Sequence, residues 1–283
     1  MKKTTTLLII IGLILSLLVG CSGNNTDSTS TDSANNKATK ELKIGATAGP
    51  YSDMVSKAIK PILEKQGYKV EVVEFSDYVQ PNLALANKSI DANLFQHRVY
   101  LEKFAADKKL ELSPVIIVPT APMGIYSSKY KSLDEIQEGS TIAIANDPTN
   151  LARTLFMLED AGLIKIKENV DPTKASEKDI VDNPKNLQIK PVEAAQLPRL
   201  VESIDLSAVP GNFALAAKMN LLDALKLENM PDDYRNQLVV RTEDLNSQLI
   251  KDLKAAIESE EFEKVIDTEF KGFGKPVWML NRK

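Results

Sequence analysis

From Leu42 onward, short β-rich runs alternate with segments of helical spacing. That alternation leaves few architectures open, because strands separated by helices pair in parallel and the helices then cover the sheet faces. Leu42–Ala46 predicts a first strand ending at the Gly49-Pro50 turn. Met54, Val55, Ala58, Ile59, Ile62 and Leu63 share a helical face, Gly67 stops that helix, and Pro61 within it predicts a kink. Strands follow at Val70–Phe75, Ala92–Phe95 and Val115–Val118, with a short helix opened by Pro81 and another marked by Val99, Leu101, Phe104 and Ala105. After Pro119 and Pro122 a second unit begins, with a crossing strand at Met123–Ser127 and strands at Thr141–Ala145, Leu187–Val192 and Ala208-Val209. Its helices are expected over Asn150–Ala161, Leu197–Glu202 and Ala214–Met219, and Gln237–Arg241 returns to the first unit. A last helix carries Leu245, Leu249, Leu253 and Ile257 on one stripe. No internal repeat is visible in the sequence.

Composition then removes whole classes of chemistry. A single cysteine, Cys21, and a single histidine, His97, cannot build a disulfide framework, a Cys/His zinc site or a multi-histidine metal centre. A net charge of −4 argues against a nucleic-acid partner. No P-loop, GxGxxG, HExxH or GxSxG occurs.

The first residues set the expected compartment. Lys2 and Lys3 precede an apolar run, Leu7–Val19, that is shorter than the roughly 18–20 residues a membrane-spanning helix needs. Residues 1–20 therefore read as a signal peptide. Leu18-Val19-Gly20-Cys21 resembles the lipobox of bacterial lipoproteins, which implies cleavage before Cys21 and a diacylglyceryl, palmitate-type lipid on its sulfur. Residues 21–40 are a tether, with twelve of residues 22–40 being Ser, Thr or Asn, too polar to offset their ordering entropy. The body is expected outside the cell membrane, anchored by lipid, with residues 41–122 and 240–283 forming one lobe and 123–239 the other. A hinged pair of lobes with a ligand between them is a common arrangement for small solutes.

Four loops at strand ends carry the candidate ligand contacts. In Phe75–Asn82, Asp77 can cap the helix opened by Pro81, while Tyr78 either packs locally or projects into a cleft. Phe95, His97 and Tyr100 can form an aromatic box suited to a thioether, with core packing of Phe95 as the alternative. Asn150 or Thr149 caps the helix that carries Arg153. A cation there opposes the helix dipole unless a bound carboxylate reverses the sign. Gly211-Asn212-Phe213 and Tyr234-Arg235-Asn236 place Asn212 and Asn236 where amides can orient an ammonium and a carboxylate, although asparagines in turns often serve the backbone. Together these residues suit a zwitterion with an apolar tail, an amino acid. A surface hydrolase would have only His97 as its base, and an exported metal receptor would have too few imidazoles.

At the same loops the chain resembles the methionine-binding lipoproteins of the NlpA type. The resemblance rests on Asp77–Asn82, Asp91-Ala92-Asn93 with Phe95-Gln96-His97, Pro122–Ser127, Ala143–Asn150, Asp182–Leu187, Ala194–Arg199 and Val239–Asp244. It implies an α/β, two-lobed, type II periplasmic-binding-protein-like clamshell, each lobe a mostly parallel sheet flanked by helices. It also implies a protein without catalytic activity or cofactor that delivers L-methionine to the permease and ATPase subunits of an ABC importer. Carried over by motif, Tyr78, Phe95, His97 and Tyr100 would surround the methionine side chain, Arg153 would pair with its carboxylate, and Asn212 and Asn236 would hold the head. Burying about 100 Å² of tail would contribute about 2–3 kcal/mol. Tyr51, Ser207 and Val209–Asn212 depart from the usual pattern, so a methionine-containing dipeptide or another amino acid is the alternative ligand. Replacing Arg153 with alanine is expected to abolish binding and leave stability unchanged.

Overall fold

The computed structural model describes residues 40–282, so the expected signal peptide, Cys21 and all of the tether but Lys40 lie outside the described residues. Lys40 itself opens β1 (Lys40–Thr47), whose inner half is buried on both faces as a central parallel strand must be. The strands that follow are β2 (Tyr68–Phe75), β3 (Ala92–His97), β4 (Leu112–Ile117), β5 (Gly124–Tyr126), β6 (Thr141–Ala145), β7 (Lys165–Ile166), β8 (Ile180–Asp182), β9 (Gln188–Val192), β10 (Leu206–Val209), β11 (Lys226–Leu227) and β12 (Asn236–Arg241).

Two five-stranded sheets result, ordered β2-β1-β3-β12-β4 and β9-β6-β10-β5-β11. In each, three parallel strands are followed by one antiparallel strand that crosses from the other lobe, and a final strand pairs antiparallel with that crossing strand. The two lobes therefore repeat one topology without a visible sequence repeat. β12 lies wholly in the first sheet between β3 and β4, which moves the expected lobe boundary at 239/240 back to the start of Asn236. β7 and β8 pair as a separate small ribbon.

Helices complete each lobe around its own apolar cluster. Leu42, Ile44, Met54, Leu63, Leu94 and Phe262 centre the first, and Ile125, Ile142, Ile144, Leu155 and Leu158 the second. α1 (Pro50–Met54) runs through a π turn, Val55–Ile59, into α2 (Lys60–Lys65). Pro61 has no N–H to give Lys57, and its ring crowds that carbonyl. The kink that Pro61 predicts takes the form of this widened turn, in which Lys60 N–H bonds back to Val55. Further on come α3 (Gln80–Ala86), α4 (Arg98–Lys108), α5 (Pro148–Asp160), α6 (Leu197–Leu200) and α7 (Gly211–Ala216). α7 starts three residues before its expected position, which puts Asn212 in its first turn. The single C-terminal helix is corrected to α8 (Gln248–Ile257), α9 (Glu260–Glu269) and α10 (Val277–Leu280). Ser247 and Ser259 cap the first two of these, and Leu245 falls outside them in a 3-10 turn. No helix among the described residues is long and apolar enough to cross a membrane.

Candidate functional site

The strand ends of both sheets converge on a narrow cavity between the lobes. Tyr78, Phe95, His97, Tyr100, Arg153, Asn212 and Asn236 all line it. Tyr51, Gln96, Thr120, Ala121, Asn150, Pro210 and Gly211 complete the wall.

On the first lobe, β3 ends in His97, the residue that caps α4. Its Nδ1 accepts the Tyr100 N–H at 3.1 Å, so the proton sits on Nε2, which donates to Asn150 Oδ1 across the cleft at 3.2 Å. Burial, reinforced by the nearby Arg153 charge, pushes the imidazole down to about 3 and keeps it neutral. Both ring nitrogens are engaged in joining α4 to Asn150 across the cleft. Tyr78, Phe95 and Tyr100 form a triangle with centroids 5.9–6.0 Å apart. The Tyr100 hydroxyl donates to the Tyr78 carbonyl at 2.8 Å, and the Tyr78 hydroxyl donates to Asn212 Oδ1 on the second lobe at 2.7 Å. Burial raises the pKa of both phenols, so both remain neutral donors. Asp77 accepts from the N–H groups of Val79 and Gln80, which shapes the turn that presents Tyr78. A buried amide network of Asn82, Asn93 and Gln96 ties α3 to β3 beneath the rings. Tyr51, in α1, adds a further phenol whose pKa burial lifts to about 12 against hydrogen bonding to Thr120, Ala121 and Asn236.

The second lobe supplies polar groups. Asp147, rather than Asn150 or Thr149, caps α5, with its Oδ1 accepting the Asn150 N–H at 3.0 Å. Asp147 Oδ2 also takes Asn150 Nδ2 at 3.0 Å, which turns Asn150 Oδ1 toward His97 and Arg153. Arg153 lies a turn further on and is only 8% exposed. Its Nε and Nη2 donate to the two oxygens of Glu228, both at 2.6 Å, and Nη1 donates to Asn150 at 3.3 Å. The Tyr234 ring lies 5.2 Å from the guanidinium. Burial opposes the Arg153 charge, yet Glu228 outweighs it and raises the pKa. The expectation that Arg153 could be replaced by alanine without loss of stability is therefore corrected, because removal would strand the buried Glu228 carboxylate.

Gly211 lets α7 start against the interlobe crossing: a Cβ there would stand 2.4 Å from the Pro122 carbonyl oxygen. Asn212, 5% exposed, has its Oδ1 bonded to Tyr78 while its Nδ2 finds no partner among the described residues. Asn236 starts β12, donates its backbone N–H to Thr120 Oγ1 (2.8 Å) and donates Nδ2 to the Phe95 carbonyl (2.9 Å). It faces His97 in the ladder.

Glu228 is the functional residue that sequence reasoning missed. It stands in an ordinary polar turn after β11, and nothing at that position signals a partner 75 residues away. Among the described residues no cluster of His, Cys, Asp and Glu could hold a metal ion.

The family model described as NlpA lipoprotein matches residues 42–278. The chain is 39% identical over 265 residues, 93% of each chain, to a protein of Vibrio cholerae named a probable D-methionine-binding lipoprotein MetQ. It is 36% identical to the D-methionine-binding lipoprotein MetQ of Escherichia coli over 92% of this chain and 93% of that one. A solved nutrient-binding protein from Burkholderia cenocepacia, bound to methionine, superposes with a TM-score of 0.78 at 38% identity. That match covers 82% of this chain and 97% of the other.

Proposed function

The chain belongs to the NlpA lipoprotein family, and from that membership and the lining of the cavity we propose that it is a solute-binding protein for L-methionine. It is lipid-anchored through Cys21 on the extracytoplasmic face and delivers its ligand to the permease and ATPase of an ABC importer. Relatives named for methionine binding share the fold and most of the chain.

One observation carries the ligand assignment: a cavity walled by buried side chains has rings on one side and an unfilled amide donor on the other. Asn212 Nδ2 is buried without a partner, and such a group destabilises by about 1–3 kcal/mol until an acceptor fills it. A ligand carboxylate would accept from it and from the remaining hydrogen of Arg153 Nη1. The apolar tail would then lie among Tyr78, Phe95 and Tyr100, where a sulfur makes favourable edge contacts with rings. His97 holds the neutral tautomer that lets it brace Asn150, and Asn236 supports the head of the ligand. The buried Arg153–Glu228 pair, which leaves no room behind the guanidinium, favours one amino acid over a dipeptide.

Calorimetric titration with L-methionine, D-methionine, glycyl-L-methionine and L-leucine tests the assignment. One-to-one binding of L-methionine, tighter than that of the dipeptide and of leucine, is expected. Saturable binding of leucine or the dipeptide with none of methionine would overturn it.

A further inference from the structure

Arg153 is held on all three of its nitrogens by the protein itself, two by Glu228 and one by Asn150. Glu228 Oε1 and Oε2 take Nε and Nη2, and the two side chains are 8% and 6% exposed. Glu228 Oε2 also accepts the Met123 N–H at 3.1 Å, which anchors the carboxylate where the chain enters the second lobe. Arg153 borders both the cavity and an outer groove, while Glu228 borders the groove alone. The carboxylate thus stands behind the guanidinium as seen from the ligand.

That order has an electrostatic consequence. A buried guanidinium by itself would give the cavity a net positive charge, strongly felt at low dielectric, and would favour any anion of the right shape. His97 is neutral and contributes no charge. The Asp147 carboxylate, held by the N–H groups of Asn150 and the hydroxyl of Thr149, adds its negative charge to the cavity, and it does so equally whether or not Glu228 is charged. With Glu228 against its rear edge, Arg153 becomes the positive end of a neutral pair. The cavity can still hold a carboxylate against Nη1, but a ligand with net negative charge also meets the repulsion of Glu228. A zwitterion does not, because its ammonium offsets that repulsion.

Resting on the amino-acid reading of the cavity, we propose that Glu228 is a specificity-determining residue that fixes the Arg153 fork and cancels its charge, so that the site selects zwitterions over net-anionic analogues with the same side chain.

Calorimetry with L-methionine and N-acetyl-L-methionine, on the wild type and on Glu228→Gln, tests this. The acetyl group adds bulk as well as removing the ammonium charge, and the bulk is the same for both proteins. In Glu228→Gln the preference for methionine over its acetylated form should narrow by at least about tenfold. A purely structural role predicts that both affinities fall by one factor, and that result would overturn the proposal. Glu228→Asp keeps the charge and shortens the reach, so it should weaken both ligands while holding the wild-type preference to within about threefold. If Glu228→Gln does not fold, a collapsed preference in Glu228→Asp overturns the proposal and a retained one supports it. A wild type that binds no methionine overturns the amino-acid reading itself, and this inference with it.

Discussion

At the strand ends of the first lobe the chain places rings: Tyr51 after β1, Tyr78 after β2, and His97 and Tyr100 after β3. At the matching ends of the second lobe, after β6 and β10, it places Asn150, Arg153 and Asn212. The sheets share one strand order, so backbone topology does not decide what is bound. The decision lies in the first turn after each strand, where a ring or an amide can be exchanged without disturbing the core beneath. Gln96 and Asn236 are exceptions, amides contributed by the first sheet, and Asn236 sits on the strand that has just crossed from the second lobe. The division implies separable energetics, with charge and hydrogen bonding on one side and apolar burial on the other.

The largest expected effect breaks the polar side. Arg153→Ala should lower methionine affinity by at least about a hundredfold, because a buried charged partner is lost. It should also lower unfolding stability by about 3 kcal/mol, since Glu228 is left buried and unpaired. Arg153→Met combined with Glu228→Leu should recover most of that stability in urea titrations but none of the binding. Breaking the apolar side looks different. Phe95→Ala should reduce methionine affinity by about thirtyfold to a hundredfold, an effect of about 2–3 kcal/mol. Because the proposed placement sets the Phe95 ring against the tail of the ligand and not its head, competition titrations should show the methionine-to-alanine preference collapsing. In Arg153→Ala the two ligands should weaken together.

Much of this division was legible before the structure. The β-branched run Thr141–Ala145 marks β6 at the bounds observed, and polar and aromatic residues crowded after strands mark the cavity wall. Contacts between distant segments were not legible. Glu228 reaches Arg153 through folding alone. The capping of α5 by Asp147, in place of the expected Asn150 or Thr149, did carry a sequence signal, because Pro148 stands at the first helical position. The shared lobe topology was hidden because the crossing strands, β5 and β12, enter each sheet from opposite ends of the chain. The start of α8 was hidden because Leu245 continues the apolar stripe although Ser247 caps the helix, and the break before α9 lies at Ser259, beyond the last residue of that stripe.

Two smaller effects sharpen the comparison where the lobes meet. His97 holds a folded pKa of about 3 against an unfolded value of 6.5, so the unfolded chain binds the proton first as pH falls. Its contribution to stability is complete above about pH 6.5 and is lost progressively toward pH 3. Urea unfolding at pH 7 and pH 5 should show the wild type losing about 2 kcal/mol more than His97→Gln. Tyr78→Phe removes the hydroxyl that bridges to Asn212 and should weaken methionine by about fivefold, near 1 kcal/mol, with stability little changed.

The division of labour between the lobes can be seen directly by locating the heavy atom of bound L-selenomethionine from its anomalous scattering in a crystal of the complex. The selenium should lie within the triangle of Tyr78, Phe95 and Tyr100, on the side of the cavity away from Arg153. A selenium peak beside the guanidinium, or in the outer groove against Phe156, would contradict the account.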